Sequence, residues 1–175
     1  MKHFILSAAI LAFTLVSLSA QEYKGQFTVT VVEASAVPTG IAQSQEANFP
    51  GIAVRQWKKQ EYSNKRLNSV QYLAVFTQNG QNTRARYQAD GRSISSYATY
   101  RPEALPTPIQ TTLATDYPDH ILTGAAEITS LQQGWSGFRI RLREGNQKLV
   151  VWLTAEGSPI SLQQVPSEVS AEEAE

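Results

Sequence analysis

The 175-residue sequence contains no cysteine. This excludes disulfides, thiolate nucleophiles, thiolate metal ligands and a lipid-modified cysteine at a mature N-terminus. Histidine is nearly absent as well: His3 and His120 are the two, so a serine nucleophile would have very few bases to draw on. No Walker-type loop, glycine-rich dinucleotide fingerprint or zinc-ligand spacing occurs, and Gly80, Gly91, Gly134, Gly145 and Gly157 are accounted for by turns such as Asn79-Gly80 and Asp90-Gly91. Neither sign of charge is in excess, with 15 Lys plus Arg against 15 Asp plus Glu. That balance argues against nucleic acid as a partner.

What is present begins with MKHFILSAAILAFTLVSLSA. Lys2 is followed by an apolar run from Phe4 to Val16 and then by the small residues Ser17, Ser19 and Ala20. This layout predicts a cleavable secretory signal peptide over 1–20, because the run is short for a membrane span and no second apolar segment follows. Cleavage after Ala20 leaves 21–175, enough chain for one compact domain of ordinary size. An exported chain that needs no disulfide suits a periplasm or an extracellular space. Without Lys2 the balance is 14 basic to 15 acidic residues, and setting aside Glu168, Glu172, Glu173 and Glu175 leaves 14 to 11. Residues 166–175 are accordingly expected to be a solvated, disordered acidic tail on a mildly basic body.

The strongest pattern is an internal repeat. VPTGIAQSQEANFP (37–50) and LPTPIQTTLATDYP (105–118) align with Pro38 on Pro106, Thr39 on Thr107, Ile41 on Ile109 and Pro50 on Pro118, a single offset of 68 residues (106 − 38 and 118 − 50). Such self-similarity predicts a duplicated structural unit. In each copy one proline suits the first turn of a short helix and the other ends it. Strands are expected near 53–62, 70–78, 82–89 and 93–100 in the first copy, and near 120–131, 135–143, 147–154 and 158–164 in the second. Turn dipeptides separate them. QFTVTVVE (26–33) alternates as a further strand outside the repeat. The expected fold is α+β: a tandem repeat of one helix plus four antiparallel strands, forming one curved sheet with two helices on one face. It divides into an N-terminal strand and linker (21–36), a first repeat (37–104) and a second repeat (105–165).

Alternation assigns the sheet faces. Phe138, Ile140 and Leu142 oppose Arg139, Arg141 and Arg143, while Ala85 and Tyr87 oppose Arg84 and Arg86. Leu149, Val151 and Leu153 oppose Val150 and Trp152. Five guanidinium groups are thus expected on a polar face open to water, shared with Trp152 and with Tyr100 and Trp57 as further candidates. Arginine with aromatic residues is the composition of interface centres. The same arginines would also serve simply to solvate an open sheet face, pairing with Glu61, Glu127 or Glu144. Asp116, Asp119 and His120 carry ligand types for a small oxygen/nitrogen metal site. Asp is equally at home flanking the turn they occupy. Trp57 is expected at the core edge under the first helix, and Trp135 at a partly exposed strand start.

The helix openings Val37-Pro38 and Leu105-Pro106, the Phe49-Pro50 and Tyr117-Pro118 pairs, Trp57 seven residues after Pro50 and the Asp90-Gly91 turn resemble the periplasmic PepSY-like family, related to the β-lactamase-inhibitor-protein (BLIP-like) fold. The resemblance covers about residues 37–162. Ala125 stands where Trp57 would repeat, and Glu156-Gly157 replaces the Asp-Gly turn. The resemblance implies a sheet whose concave side grips a partner protein, and PepSY domains are proposed to bind or restrain proteases. The expectation is a non-enzymatic exported binding module using Arg84, Arg86, Arg139, Arg141, Arg143 and Trp152, with no cofactor, metal or nucleic acid. It would bind a protein, such as a periplasmic or secreted enzyme, as a monomer or weak dimer with no membrane attachment after cleavage. The alternative is a binder of small ligands or cell-envelope polymers in a cleft between the two halves.

Overall fold

A computed structural model describes residues 26–63 and 68–170. The expected signal peptide and the last five residues of the expected tail lie outside them. Eight strands form one sheet: β1 (Gln26–Val32), β2 (Gln56–Ser63), β3 (Asn68–Gln78), β4 (Gln81–Gln88), β5 (Ser93–Tyr100), β6 (Ile121–Ser130), β7 (Ser136–Glu144) and β8 (Gln147–Leu153). Helix α1 (Thr39–Asn48) lies between β1 and β2, and α2 (Thr107–Asp116) between β5 and β6. A short helix α3 (Ser167–Ser170) follows β8. Each strand pairs antiparallel with its neighbour in sequence. Successive hairpins account for most of this order, since tight turns return the chain beside itself. Four of these connections use positive φ, at Asn79-Gly80 (50° and 76°), Gly91 (92°), Gly134 (67°) and Gly145 (54°).

The α+β class follows from this sheet with α1 and α2 on one side. Ile41 and Ile109 are fully buried under α1 and α2, each burial contributing about 2 kcal/mol. Around Ile41 gather Phe49, Trp57, Tyr72, Phe76 and Tyr87; around Ile109 gather Leu105, Phe138, Ile140, Leu142 and Leu153. Register joins the two groups on a single face, because Ala98 sits opposite both Thr83 and Glu127, and Glu127 opposite Phe138. Local geometry recurs as well. Pro38 and Pro106 share backbone angles (φ −54°, ψ 136° and φ −50°, ψ 135°). Ser44 Oγ donates to the Gly91 carbonyl at 2.7 Å, and Thr112 Oγ1 to the Gly157 carbonyl at 3.0 Å.

Two expectations need correction. The strand over 158–164 does not form, so α2 is followed by three strands where α1 is followed by four. Leu153 makes one isolated bridge with Pro159, and the Ile160 N–H donates to the Trp152 carbonyl at 2.8 Å. A capping box between Ser161 and Gln164 then starts a tight 3-10 turn over Leu162–Gln164. The second correction concerns the acidic tail, whose first five residues pack on the protein. Pro166 and Val169 are buried, Val169 completely.

Candidate binding face

Directly paired residues on neighbouring strands project to the same side, so the register sorts the charged residues of the sheet. Glu61, Glu127 and Glu144 all fall on the face carrying α1 and α2, and so does Lys59. The opposite face receives Lys58, then Arg84 and Arg86 from β4. From the other end it receives Arg139, Arg141 and Arg143 of β7 with Lys148 of β8. No described strand residue places a carboxylate there. The three glutamates offered as arginine partners are engaged on their own side. Glu61 pairs with Lys59 at 2.8 Å, Glu127 accepts from the Tyr100 hydroxyl at 3.0 Å, and Glu144 Oε2 lies 3.7 Å from His120 Nε2.

The arginines are not one exposed row. Arg141 and Arg143 are exposed and Arg84 half-buried, but Arg86 and Arg139 are 7% and 3% exposed. Tyr97 joins the two halves of the face. Its ring lies under the guanidinium of Arg84 (4.5 Å) and that of Arg139 (5.4 Å), each contact attractive through the ring quadrupole. Arg139 Nη1 and the indole Nε1 of Trp152 make no hydrogen bond among the described residues. These two residues are directly paired across β7 and β8. A buried charged donor without a partner costs about 1–3 kcal/mol or more, so this spot favours a hydrogen-bond acceptor.

The face is also not open along its whole width. Val165 and Val169 seat α3 on Ala126, Ile128 and Trp152, with Trp135 edge-on to Trp152 at 5.7 Å. Trp152, expected on a solvent-facing surface, is 3% exposed because of this cover. Glu168 accepts from the Ser130 hydroxyl at 2.6 Å and from Gln133 at 2.9 Å. The Ser130 bond is the main reason its carboxyl lies below the ordinary value of 4.5. Sequence reading missed Tyr97 and α3, although both had signals. Alternation in SISSYATY aligns Tyr97 with Ser95 and Thr99, and Val165-Pro166-Ser167-Glu168-Val169 repeats the spacing of Val37-Pro38-Thr39-Gly40-Ile41.

Other candidates belong to the helix side. Trp57 is buried beneath α1, as expected. Tyr100 packs edge-on to Phe138 at 5.4 Å and is therefore absent from the arginine face. Burial and the Glu127 hydrogen bond push its hydroxyl up to about 12. Asp116 and Asp119 are exposed. Among the described residues no three His, Asp or Glu side chains converge as a metal site. His120 stands edge-on to Tyr117 at 5.6 Å.

A cleft of about 640 Å³ opens at the β7–β8 end, lined by Thr123, Arg139, Arg141, Arg143, Lys148 and Val150. It lies within the second half of the sheet, not between the halves where the alternative reading sought it. Beside it, residues 147–150 of the end strand β8 are all exposed.

No family model and no curated protein matches this sequence. Solved structures match its fold. A BLIP-like protein from Bacteroides fragilis superposes with a TM-score of 0.57 at 12% identity, covering 74% of this chain and 89% of its own. A DUF2874 family protein from Bacteroides uniformis has a TM-score of 0.52 at 13% identity, with 71% and 86% covered. A protein from Bacteroides eggerthii, provisionally described as periplasmic, has a TM-score of 0.51 at 16% identity, also with 71% and 86% covered. At these identities the likeness establishes a BLIP-like fold. No described helix is long and apolar enough to cross a membrane.

Proposed function

We propose that this chain is an exported, non-enzymatic binding module that recognises an acidic surface on a protein partner through the cationic face of its sheet. The observation that carries the reading is the segregation of charge: strand-borne carboxylates lie on the helix side, and all strand cations except Lys59 lie on the other. Complementary fields of this kind accelerate encounter and select partners. The signal-like 1–20 segment supports export, and the paired geometry around Pro38 and Pro106 supports a duplicated PepSY-like unit. The name of the Bacteroides fragilis neighbour supports a partner that is itself a protein, with a periplasmic or secreted enzyme under restraint as the specific form. The module acts as a monomer or weak dimer and uses no cofactor.

The test is affinity capture from an envelope extract, followed by calorimetry with the retained protein. Charge reversal at the accessible positions Lys58, Arg84, Arg141 and Arg143 is expected to weaken binding at least about tenfold and to flatten its salt dependence. Unchanged affinity would remove the cationic face from the account. The cleft beside Lys148 supports a second reading, an anionic small molecule or envelope polymer. A thermal-shift panel separates the two, since a ligand of the native state raises Tm.

A further inference from the structure

We infer that the uncovered half of β8 is a strand-docking site: an extended acidic segment of a protein partner pairs with residues 147–150 as a ninth strand and sets its carboxylates over Lys148, Arg141 and Arg143. This rests on the protein-binding reading above and specifies where and how the partner is held.

The outer edge of β8 is used at one end only. Ile160 donates to the Trp152 carbonyl at 2.8 Å and Pro159 bridges Leu153, after which the chain turns away at Ser161. In an antiparallel strand the N–H and C=O of one residue point to the same side, and the side alternates with every residue. The Trp152 carbonyl points outward, so the backbone groups of Val150 and Lys148 point outward too. Among the described residues no strand pairs with them there. In the first half of the sheet the comparable strand β4 is covered along most of its length, from Asn82 to Tyr87, by β5. The site on β8 is where the strand expected over 158–164 would have lain.

The same register chooses the occupant. Val150 and Lys148 pair with Arg141 and Arg143, so their side chains lie on the cationic face. Residues of an added strand opposite them would project onto that face as well. The cleft there offers N–H donors from arginine and lysine, including the buried Arg139 whose Nη1 has no partner. Carboxylates at alternate positions satisfy these donors. A second copy of this chain fits poorly, because two β8 edges side by side would bring Lys148 and Arg143 against their own counterparts. A polyanion would meet the charges but not the outward amides, whereas an acidic extended peptide meets both.

The probe is a fluorescently labelled peptide of alternating Glu and Val, titrated by anisotropy. Controls carry Gln for Glu, or N-methyl groups on alternate backbone amides. Binding is expected for the parent peptide, and about tenfold or greater weakening for each control. Similar weakening is expected for R141Q with R143Q, and for Val150→Pro, which removes an outward N–H without breaking the β7–β8 ladder. Both variants should keep the native circular dichroism, since the first alters exposed side chains only. The inference is overturned if the parent peptide fails to bind at about 1 mM, or if the N-methylated or Gln peptide binds as well as the parent. Self-association abolished by Val150→Pro would also overturn it, by making a second copy the occupant. Loss of the captured partner on reversal of Lys58 and Arg84, with no effect of the β8 variants, would remove this site and leave the sheet-face reading standing.

Discussion

Three segments of this chain begin a helix in the same way, and they do not end up on the same side of the sheet. A 3-10 turn leads into Val37-Pro38, Leu105-Pro106 and Val165-Pro166, and four residues beyond each apolar residue stands a fully buried one, Ile41, Ile109 or Val169. The first two helices pack on one face, each tied through a helix hydroxyl to the carbonyl of a turn glycine. The third packs on the opposite face and is tied through the Glu168 carboxylate to Ser130 and Gln133. The lesson is that the local motif sets where a helix starts and which residues it buries. The strand before it and the apolar surface within reach set where it goes. Before α3's motif the chain has already left the sheet edge at Ser161, and Ala126, Ile128 and Trp152 supply an apolar patch on the far side.

This comparison can be broken at its anchors. Ile41→Ala and Ile109→Ala should each cost about 4 kcal/mol in denaturant unfolding, as deletions from filled core sites. Equal and small losses would mean that α1 and α2 are peripheral. Gly157→Ala should cost about 3 kcal/mol and Gly91→Ala about 2 kcal/mol. Both have positive φ, and an added Cβ would lie 2.8 Å from the Pro108 carbonyl oxygen in one case and 3.2 Å from Gly40 backbone in the other. Reversal of that order would show that α1 and α2 are not locked alike. Val169→Ala should cost about 1.5 kcal/mol, two methyl groups of burial, and should redshift tryptophan fluorescence as water reaches Trp152.

A smaller effect is the response to acid. The carboxyl of Glu168 is held below 4.5 in the folded state, so its contribution is present above that pH and is lost as the pH falls through the depressed folded-state value. Tryptophan emission should therefore change in that window before global unfolding, and Glu168→Gln should remove the early change. A single transition identical in both proteins would show that α3 docks independently of this carboxylate.

Much of the fold was legible because it is written in local terms. Alternation in FRIRLR and the Asn-Gly and Asp-Gly turns give β3, β4, β5 and β7 to within two residues at each end. Proline spacing locates α1 and α2. The strand expected over 158–164 failed for a reason also present in the sequence, the Ser161–Gln164 capping box, but that signal competes with a strand-like alternation. The candidate face was legible as a set of arginines on one side. The burial of Arg139 and the enclosure of Trp152 were not, because they depend on Tyr97 from another strand and on α3 from the far end of the chain.

The sequence by itself determined the hairpins, the helix starts and the side of the sheet to which each strand residue points, since these follow from turn chemistry and a period of two or 3.6 along the backbone. Only the tertiary structure decided which face α3 would cover and which arginines would remain accessible. Those outcomes depend on long-range competition for apolar surface and backbone hydrogen bonds, which no local pattern encodes.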